Sequence, residues 1–162
     1  MFRILDRILD SVLLAVLGLM AAIVAANVFC RFVLQFSIYW GDEAAQALLV
    51  WLTFLGAAVA VRDRAHYAFD YLGQYSRGNL QFAAAIVSRM ITLIALIGLF
   101  YWGLRVTLGI RPWIMPAMEI SRAWVYAAGP IGCGLMIIYI IRDLGLLVHE
   151  RRVAAKTVVA AT

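Results

Sequence analysis

The carboxylates of this chain limit the chemistry that it could perform. Proton- or ion-coupled transport usually depends on an ionisable group deep in apolar surroundings, because a charge is costly there and persists for a purpose. Five of the nine acidic residues flank the second long apolar run or fall between later ones: Asp42, Glu43, Asp63, Asp70 and Glu119. None of these five lies deep within a run. The pattern therefore disfavours a self-contained proton-coupled pump or a stand-alone exporter.

Arg89 interrupts the third apolar run about a third of the way along it. It could contact a substrate or a lipid phosphate. Alternatively, its long side chain could reach the headgroups or pair with Asp63 or Asp70, since two helical turns are within its reach. The second interpretation is favoured, and Arg89 is a candidate for lipid or headgroup contact.

Arg62, His66 and Asp70 are spaced by four residues. They would share one face if the second helix continued past Val61. Such a row could bind a headgroup or tie helices together. We expect a structural network and no catalytic site, because neither a nucleophile nor a set of metal ligands accompanies it.

Histidine raises one alternative function, a membrane anchor for a redox enzyme that holds haem or quinone. Haem can lie between two axial imidazoles in a helical bundle. His66 and His149 each fall at or beyond the edge of an apolar run, where a haem would be poorly buried. We therefore predict no cofactor, metal or catalytic residue in this chain, and no enzymatic activity.

Two further patterns concern how helices would meet. Arg31 and Glu43 flank a tight loop, so an ion pair between them would set the geometry of the first hairpin. Such a pair would contribute little stabilising energy, because the site is exposed. The segment Gly129–Gly134 is rich in glycine, which lets membrane helices approach closely. It could pack within the chain or against a larger partner.

Composition places the chain in a membrane. Of its 162 residues, 65% are hydrophobic and 14% are charged, and the net charge is +5. A soluble fold of this size would lack the polar surface to cover so much apolar volume. The basic residues form no sustained run, which argues against nucleic acid as a partner. Cys30 and Cys133 are expected to be free thiols.

Four apolar runs are long enough to cross a bilayer as helices. We predict an all-α membrane protein whose single domain, 1–162, has spans at about 11–34, 42–63, 80–106 and 122–147, with a kink at Gly129-Pro130. Met1–Ser11 is amphipathic and predicts a short interfacial segment. Tyr67, Tyr71 and Tyr75 predict a second surface helix. Residues 150–162 are predicted to be a cytoplasmic tail, in which Val153–Thr162 is expected to fray.

Basic residues orient these spans. Nine lie on one side: Arg3, Arg7, Arg62, Arg64, Arg77, Arg142, Arg151, Arg152 and Lys156. Four lie on the other: Arg31, Arg105, Arg111 and Arg122. The richer side is expected in the cytoplasm, with both termini. Tryptophans that could anchor helix ends fall on the other side: Trp40, Trp102, Trp113 and Trp124.

An ordered set of motifs runs along the chain. Asn27 and Arg31-Phe32 close the first span, Trp40-Gly41-Asp42-Glu43 opens the second, and Val50–Ala57 runs through it. Arg62, His66 and Asp70 follow, and Arg122-Ala123-Trp124 stands at the entry to the last helix. Together these motifs resemble the small permease subunit of tripartite ATP-independent periplasmic (TRAP) transporters, the DctQ-like proteins. The family more often has two glutamates where this chain has Asp42-Glu43, a change that keeps the charge.

The resemblance implies a four-helix inner-membrane subunit that supports a large, sodium-coupled elevator permease. A periplasmic substrate-binding protein would deliver an organic acid (a carboxylate, dicarboxylate or sugar acid) for uptake, and no substrate site is expected in this chain. It also implies fold-defining and assembly roles for Arg31, Trp40, Asp42, Glu43, Arg62, His66 and Asp70. The outer loops Gln35–Asp42 and Gly109–Ser121 would contact the binding protein.

Overall fold

The computed structural model describes residues 2–63 and 79–160, with side chains for 4–63 and 86–145. Its five helices are α1 (Phe2–Phe32), α2 (Gly41–Arg62), α3 (Asn79–Gly109), α4 (Ala123–Tyr126) and α5 (Ala128–Ala160). Within these residues no strand forms beyond an isolated bridge between Ile114 and Ser121.

Four helical segments of the described chain are long and apolar enough to cross a membrane. They are Ile4–Phe32, Gly41–Arg62, Ile86–Gly109 and Ala123–Gly145, with mean hydropathy between 1.8 and 2.6. A helix satisfies its own backbone hydrogen bonds, which a bilayer core requires of any lipid-exposed segment. The predicted all-α, multi-pass membrane protein is confirmed.

The helix ends differ from the prediction in two places. Met1–Ser11 was expected as a separate interfacial segment, but α1 runs unbroken from Phe2 to Phe32. The tail was expected to fray, but α5 continues to Ala160, through a stretch rich in the strong helix formers Ala, Arg and Lys. The predicted surface helix with Tyr67, Tyr71 and Tyr75 lies outside the described residues.

The two central helices are α2 and α5. In the described chain the backbones of α1 and α2, of α2 and α5, and of α5 and α3 approach each other closely, whereas those of α2 and α3 do not. The main core cluster joins α2, α3 and α5 through Ala58, Leu96, Cys133, Met136 and Ile140. A second cluster, Leu9, Leu55 and Tyr139, joins α1 to the central pair. Cys30 and Cys133 are free, as predicted.

The glycine-rich segment packs inside the chain, which settles one alternative left open by the sequence. A Cβ on Gly132 would lie 2.7 Å from Phe54 Cβ and 3.1 Å from its carbonyl oxygen. A Cβ on Gly129 would lie 3.6 Å from Cζ of the Phe54 ring. The predicted kink is a break at Ala127 between α4 and α5, and Pro130 lies in the first turn of α5, where a missing N–H is tolerated.

Arg89 joins α3 to α5. Its Nε donates to Asp143 Oδ2 at 2.7 Å, and both side chains are 11% exposed. The sequence instead suggested Asp63 or Asp70 as the partner. Asp63 pairs with Arg62, and Asp70 lies outside the described residues. Because the partner lies in α5, 54 residues away, spacing along the sequence could not reveal it.

We expect Gly132→Ala to destabilise the bundle, because the added methyl group would overlap Phe54. Overpacking of this kind costs about 1–3 kcal/mol. Thermal unfolding in detergent measures the loss. Gly98→Ala is the matched control, since a Cβ at Gly98 meets nothing within 4 Å. Equal unfolding temperatures for the two variants would contradict the close α2–α5 approach.

Breaking the Arg89–Asp143 pair should be costly, because each of these largely buried side chains then loses an oppositely charged partner. The loss of a buried charge partner costs up to about 3–5 kcal/mol. We expect Arg89→Met and Asp143→Leu each to lower the unfolding temperature. The unfolding temperature of the double variant should fall by clearly less than the sum of the decreases in the two single variants. Arg105→Met, at an exposed arginine of α3, is the control. Additive losses would show that the pair is not energetically coupled.

Candidate functional site

The loops 33–40 and 110–122 lie at one end of the bundle, which we call the hairpin end. Here α2 starts after Trp40, which offers no side-chain cap to the first turn. Asp42 and Glu43 occupy that turn, where negative charge is favoured by the helix dipole. The motif Trp40–Glu43, which the sequence singled out, thus stands where α2 meets both loops.

Asp42 ties α2 to α1. Its Oδ1 accepts a hydrogen bond from Asn27 Nδ2 at 2.8 Å. Gly41 is buried directly against the same amide, since a Cβ there would lie 3.2 Å from Asn27 Cγ and Nδ2. Asn27 and Gly41 therefore form one close contact between the helices, and a side chain at position 41 would crowd the amide of Asn27.

Glu43 ties α2 to the loop 110–122. Its Oε2 accepts the backbone N–H groups of Ala117 at 3.0 Å and Met118 at 3.1 Å. Hydrogen bonds to an ionised acceptor are shorter and about twice as strong as neutral ones. The carboxylate is half-buried, so these bonds are only partly in competition with water.

The loop presents those amides through its own turn. Met115 N donates to Ile120 O at 2.8 Å, and Glu119 N donates to Met115 O at 2.9 Å. Glu119 has φ of 54°, in the left-handed region that costs most side chains energy. The turn folds back on itself and leaves the N–H groups of Ala117 and Met118 facing Glu43.

The predicted Arg31–Glu43 ion pair is wrong. Consecutive helical residues point about 100° apart. Asp42 faces α1, so Glu43 faces the loop 110–122 instead. Arg31 is exposed, and no described carboxylate lies within ion-pairing distance of it. Trp40 is 40% exposed at the same end, and no described hydrogen bond involves its side chain.

At the opposite end, Arg62 connects α1 to α2. Its Nη1 contacts Asp10 Oδ1 at 2.8 Å and Asp6 O at 3.2 Å, and its Nε contacts Asp63 Oδ1 at 2.8 Å. The hydrogen bond from Arg62 lowers the pKa of Asp63. The hydroxyl of Tyr139 donates a hydrogen bond to Asp6 Oδ1 at 2.8 Å, so α5 joins α1 and α2 in this network.

Of the three residues predicted to form a row, Arg62 is the one that the structure describes. Arg62 is found among acidic partners from α1 that the sequence did not indicate, while His66 and Asp70 lie outside the described residues. The four tryptophans predicted at the outer interface all fall at the hairpin end, and all are exposed. Trp51 instead packs near the cluster of Leu9, Leu55 and Tyr139.

A cavity of about 560 Å³ opens at the hairpin end between α2, α3 and α4. Glu43, Gln46 and Arg122 contribute its polar groups, and most of the remaining lining is apolar. The described residues hold no group of three His, Cys, Asp or Glu side chains placed to bind a metal. The arrangement is suited to fixing helices and loops, and to holding an apolar molecule.

Comparison with known proteins places these features in a family. The family model described as "Tripartite ATP-independent periplasmic transporters, DctQ component" matches residues 20–149. The chain is also similar to the sialic acid TRAP transporter permease protein SiaT of Haemophilus influenzae (strain 86-028NP), with 25% identity over 111 residues.

That alignment covers 68% of this chain but only 18% of the relative, so the chain spans about a fifth of the length of the permease it matches. The family match covers most of the chain, including the hairpin-end ties and the Arg89–Asp143 pair. It lends no support to the alternative of a redox-enzyme anchor. The chain belongs to the DctQ family of TRAP transporter components and is a small permease subunit, not an enzyme.

Proposed function

We propose that this chain is the scaffold subunit of a sodium-coupled TRAP transporter, bound to a larger polytopic permease that moves substrate in an elevator fashion. The observation that carries the proposal is the family match over residues 20–149. The relative supports it, because the region similar to this chain is a minor part of a much longer permease protein. The larger permease would supply the substrate and sodium sites.

The charged groups of the described spans favour a static role. Arg89 pairs with Asp143, Arg62 with Asp10 and Asp63, and Glu43 with backbone amides. Apart from the adjacent pair Arg62–Asp63, each of these contacts joins two helices or a helix and a loop, which would have to part if one moved relative to the other. A scaffold needs such ties together with apolar faces, and α1 and α3 have extensive exposed apolar faces.

The hairpin end is proposed to face the periplasm of a bacterium, with the chain in the inner membrane and both termini in the cytoplasm. The excess of basic residues at the opposite end supports this orientation. Trp113, Ile114 and Ile120 are exposed on the loop 110–122. They would lie where a periplasmic substrate-binding protein docks, and the loop containing Gln35 would lie beside them.

The proposed cargo is an organic acid taken up by symport. The relative's name refers to sialic acid, a sugar acid, which lies within that class. No described cluster of side chains in this chain is suited to select among such acids. Selection is therefore assigned to the binding protein and the larger permease.

Co-purification tests the proposal. We expect the tagged chain, extracted in mild detergent, to bring down a large polytopic permease in near-stoichiometric amount. Recovery of the chain alone, or with a soluble flavin or iron–sulfur protein, would contradict the scaffold role.

Glu43→Gln should lower that recovery several-fold and reduce organic-acid uptake, because a neutral acceptor holds the loop 110–122 less tightly. Glu119→Gln is the matched control, since Glu119 is an exposed acid of the same loop. Recovery and uptake unchanged in the Glu43 variant would show that the loop tie plays no part in assembly.

A further inference from the structure

The cavity at the hairpin end is a cleft between α2 and α3. The backbones of these two helices do not approach each other closely, and residues of α4 and of the start of α5 line the cleft as well. Its volume of about 560 Å³ lies within the range of sites that bind small molecules.

The lining changes character along the cleft. Glu43, Gln46 and Arg122 lie toward the hairpin end. Val50 and Phe54 follow along α2, with Gly103 of α3 opposite. From Glu43 to Phe54 the helix rises roughly 16 Å, at about 1.5 Å per residue. The apolar part of the slot, from Ala47 to Phe54, accounts for about 10 Å of this rise. A polar mouth that leads into an apolar slot fits an amphiphile and not a freely water-soluble ligand.

The mouth carries both signs of charge. Arg122 is exposed, and no described carboxylate lies within ion-pairing distance of it. Oε2 of Glu43 accepts the hydrogen bonds from the loop amides, whereas Oε1 accepts no hydrogen bond from the described residues. A guanidinium binds phosphate strongly, and a carboxylate oxygen accepts from an ammonium group. The exposed tryptophans at this end lie where headgroups would be.

From these observations we propose that the cleft binds one phospholipid whose headgroup carries a phosphate and a primary ammonium group. The phosphate lies at Arg122, the ammonium at Glu43, and one acyl chain lies along Val50 and Phe54. The bound lipid fills the space that α2 and α3 leave between them, so it acts as part of the bundle. The inference depends on the membrane-spanning fold and not on the transport role.

Native mass spectrometry of the full chain, released from nanodiscs, tests this site. We expect one tightly retained molecule of phosphatidylethanolamine per chain. Phosphatidylcholine should be retained at least fivefold less, because its quaternary ammonium group has no N–H to donate. Phosphatidylglycerol should also be retained at least fivefold less, because its headgroup carries no cation. Equal retention of all three would indicate surrounding lipid only and would overturn the proposal.

Two variants locate the lipid. Arg122→Gln, at an exposed position, should lower phosphatidylethanolamine retention at least fivefold, whereas Arg111→Gln, in the same loop but outside the cleft lining, should not. Val50→Phe should lower retention by filling the slot. Unchanged retention in Arg122→Gln would overturn the proposal. So would a Val50→Phe variant that keeps its lipid but loses a co-purifying permease, since the cleft would then hold a protein segment.

Discussion

The contact of Glu43 with the amides of Ala117 and Met118 is the interaction on which the hairpin end depends. A loop at a membrane surface must satisfy its backbone groups, and this loop directs two N–H groups at a carboxylate on a neighbouring helix. The same turn of α2 holds Asp42 against Asn27 of α1. One helical turn thus fixes the positions of α1 and of the loop that leads into α4. Glu43 also lines the cleft between α2 and α3, together with Met115 of that loop.

At the other end, the constraint is the cost of a charge near lipid. Arg62 and Arg89 are both retained with acidic partners on different helices, Asp10 and Asp143. Each pair connects two helices that the apolar packing alone would leave free to slide, because lipid and protein surfaces are similarly apolar. The glycine at position 132 adds a third kind of tie, close backbone approach against Phe54. These three ties, two ion pairs and a close backbone approach, suit the scaffold role proposed above.

The number and the helical nature of the spans could be predicted from the sequence, but the contacts between the helices could not. Continuous apolar runs allow only helices in a bilayer, so the four spans could be predicted without ambiguity. The acidic pair after Trp40 could be located, because it marks a helix start. Its partners could not, because the direction of each side chain depends on the helical phase, and Glu43 faces the loop instead of Arg31. Asp143 was missed as a partner, since only the packing of α5 on α3 brings it to Arg89. The tail was expected to fray because its pattern is weak, yet its helix-forming composition extends α5.

Amide hydrogen exchange in the loop 110–122 tests the central claim most directly. In the native chain the N–H groups of Ala117 and Met118 should exchange slowly. In Glu43→Gln they should exchange at least about tenfold faster, as loss of roughly 1.4 kcal/mol of hydrogen-bond energy implies. The amides of the loop 33–40 should be unaffected. Equal exchange at Ala117 and Met118 in the two proteins would contradict the account, because the loop would then be held without the carboxylate of Glu43.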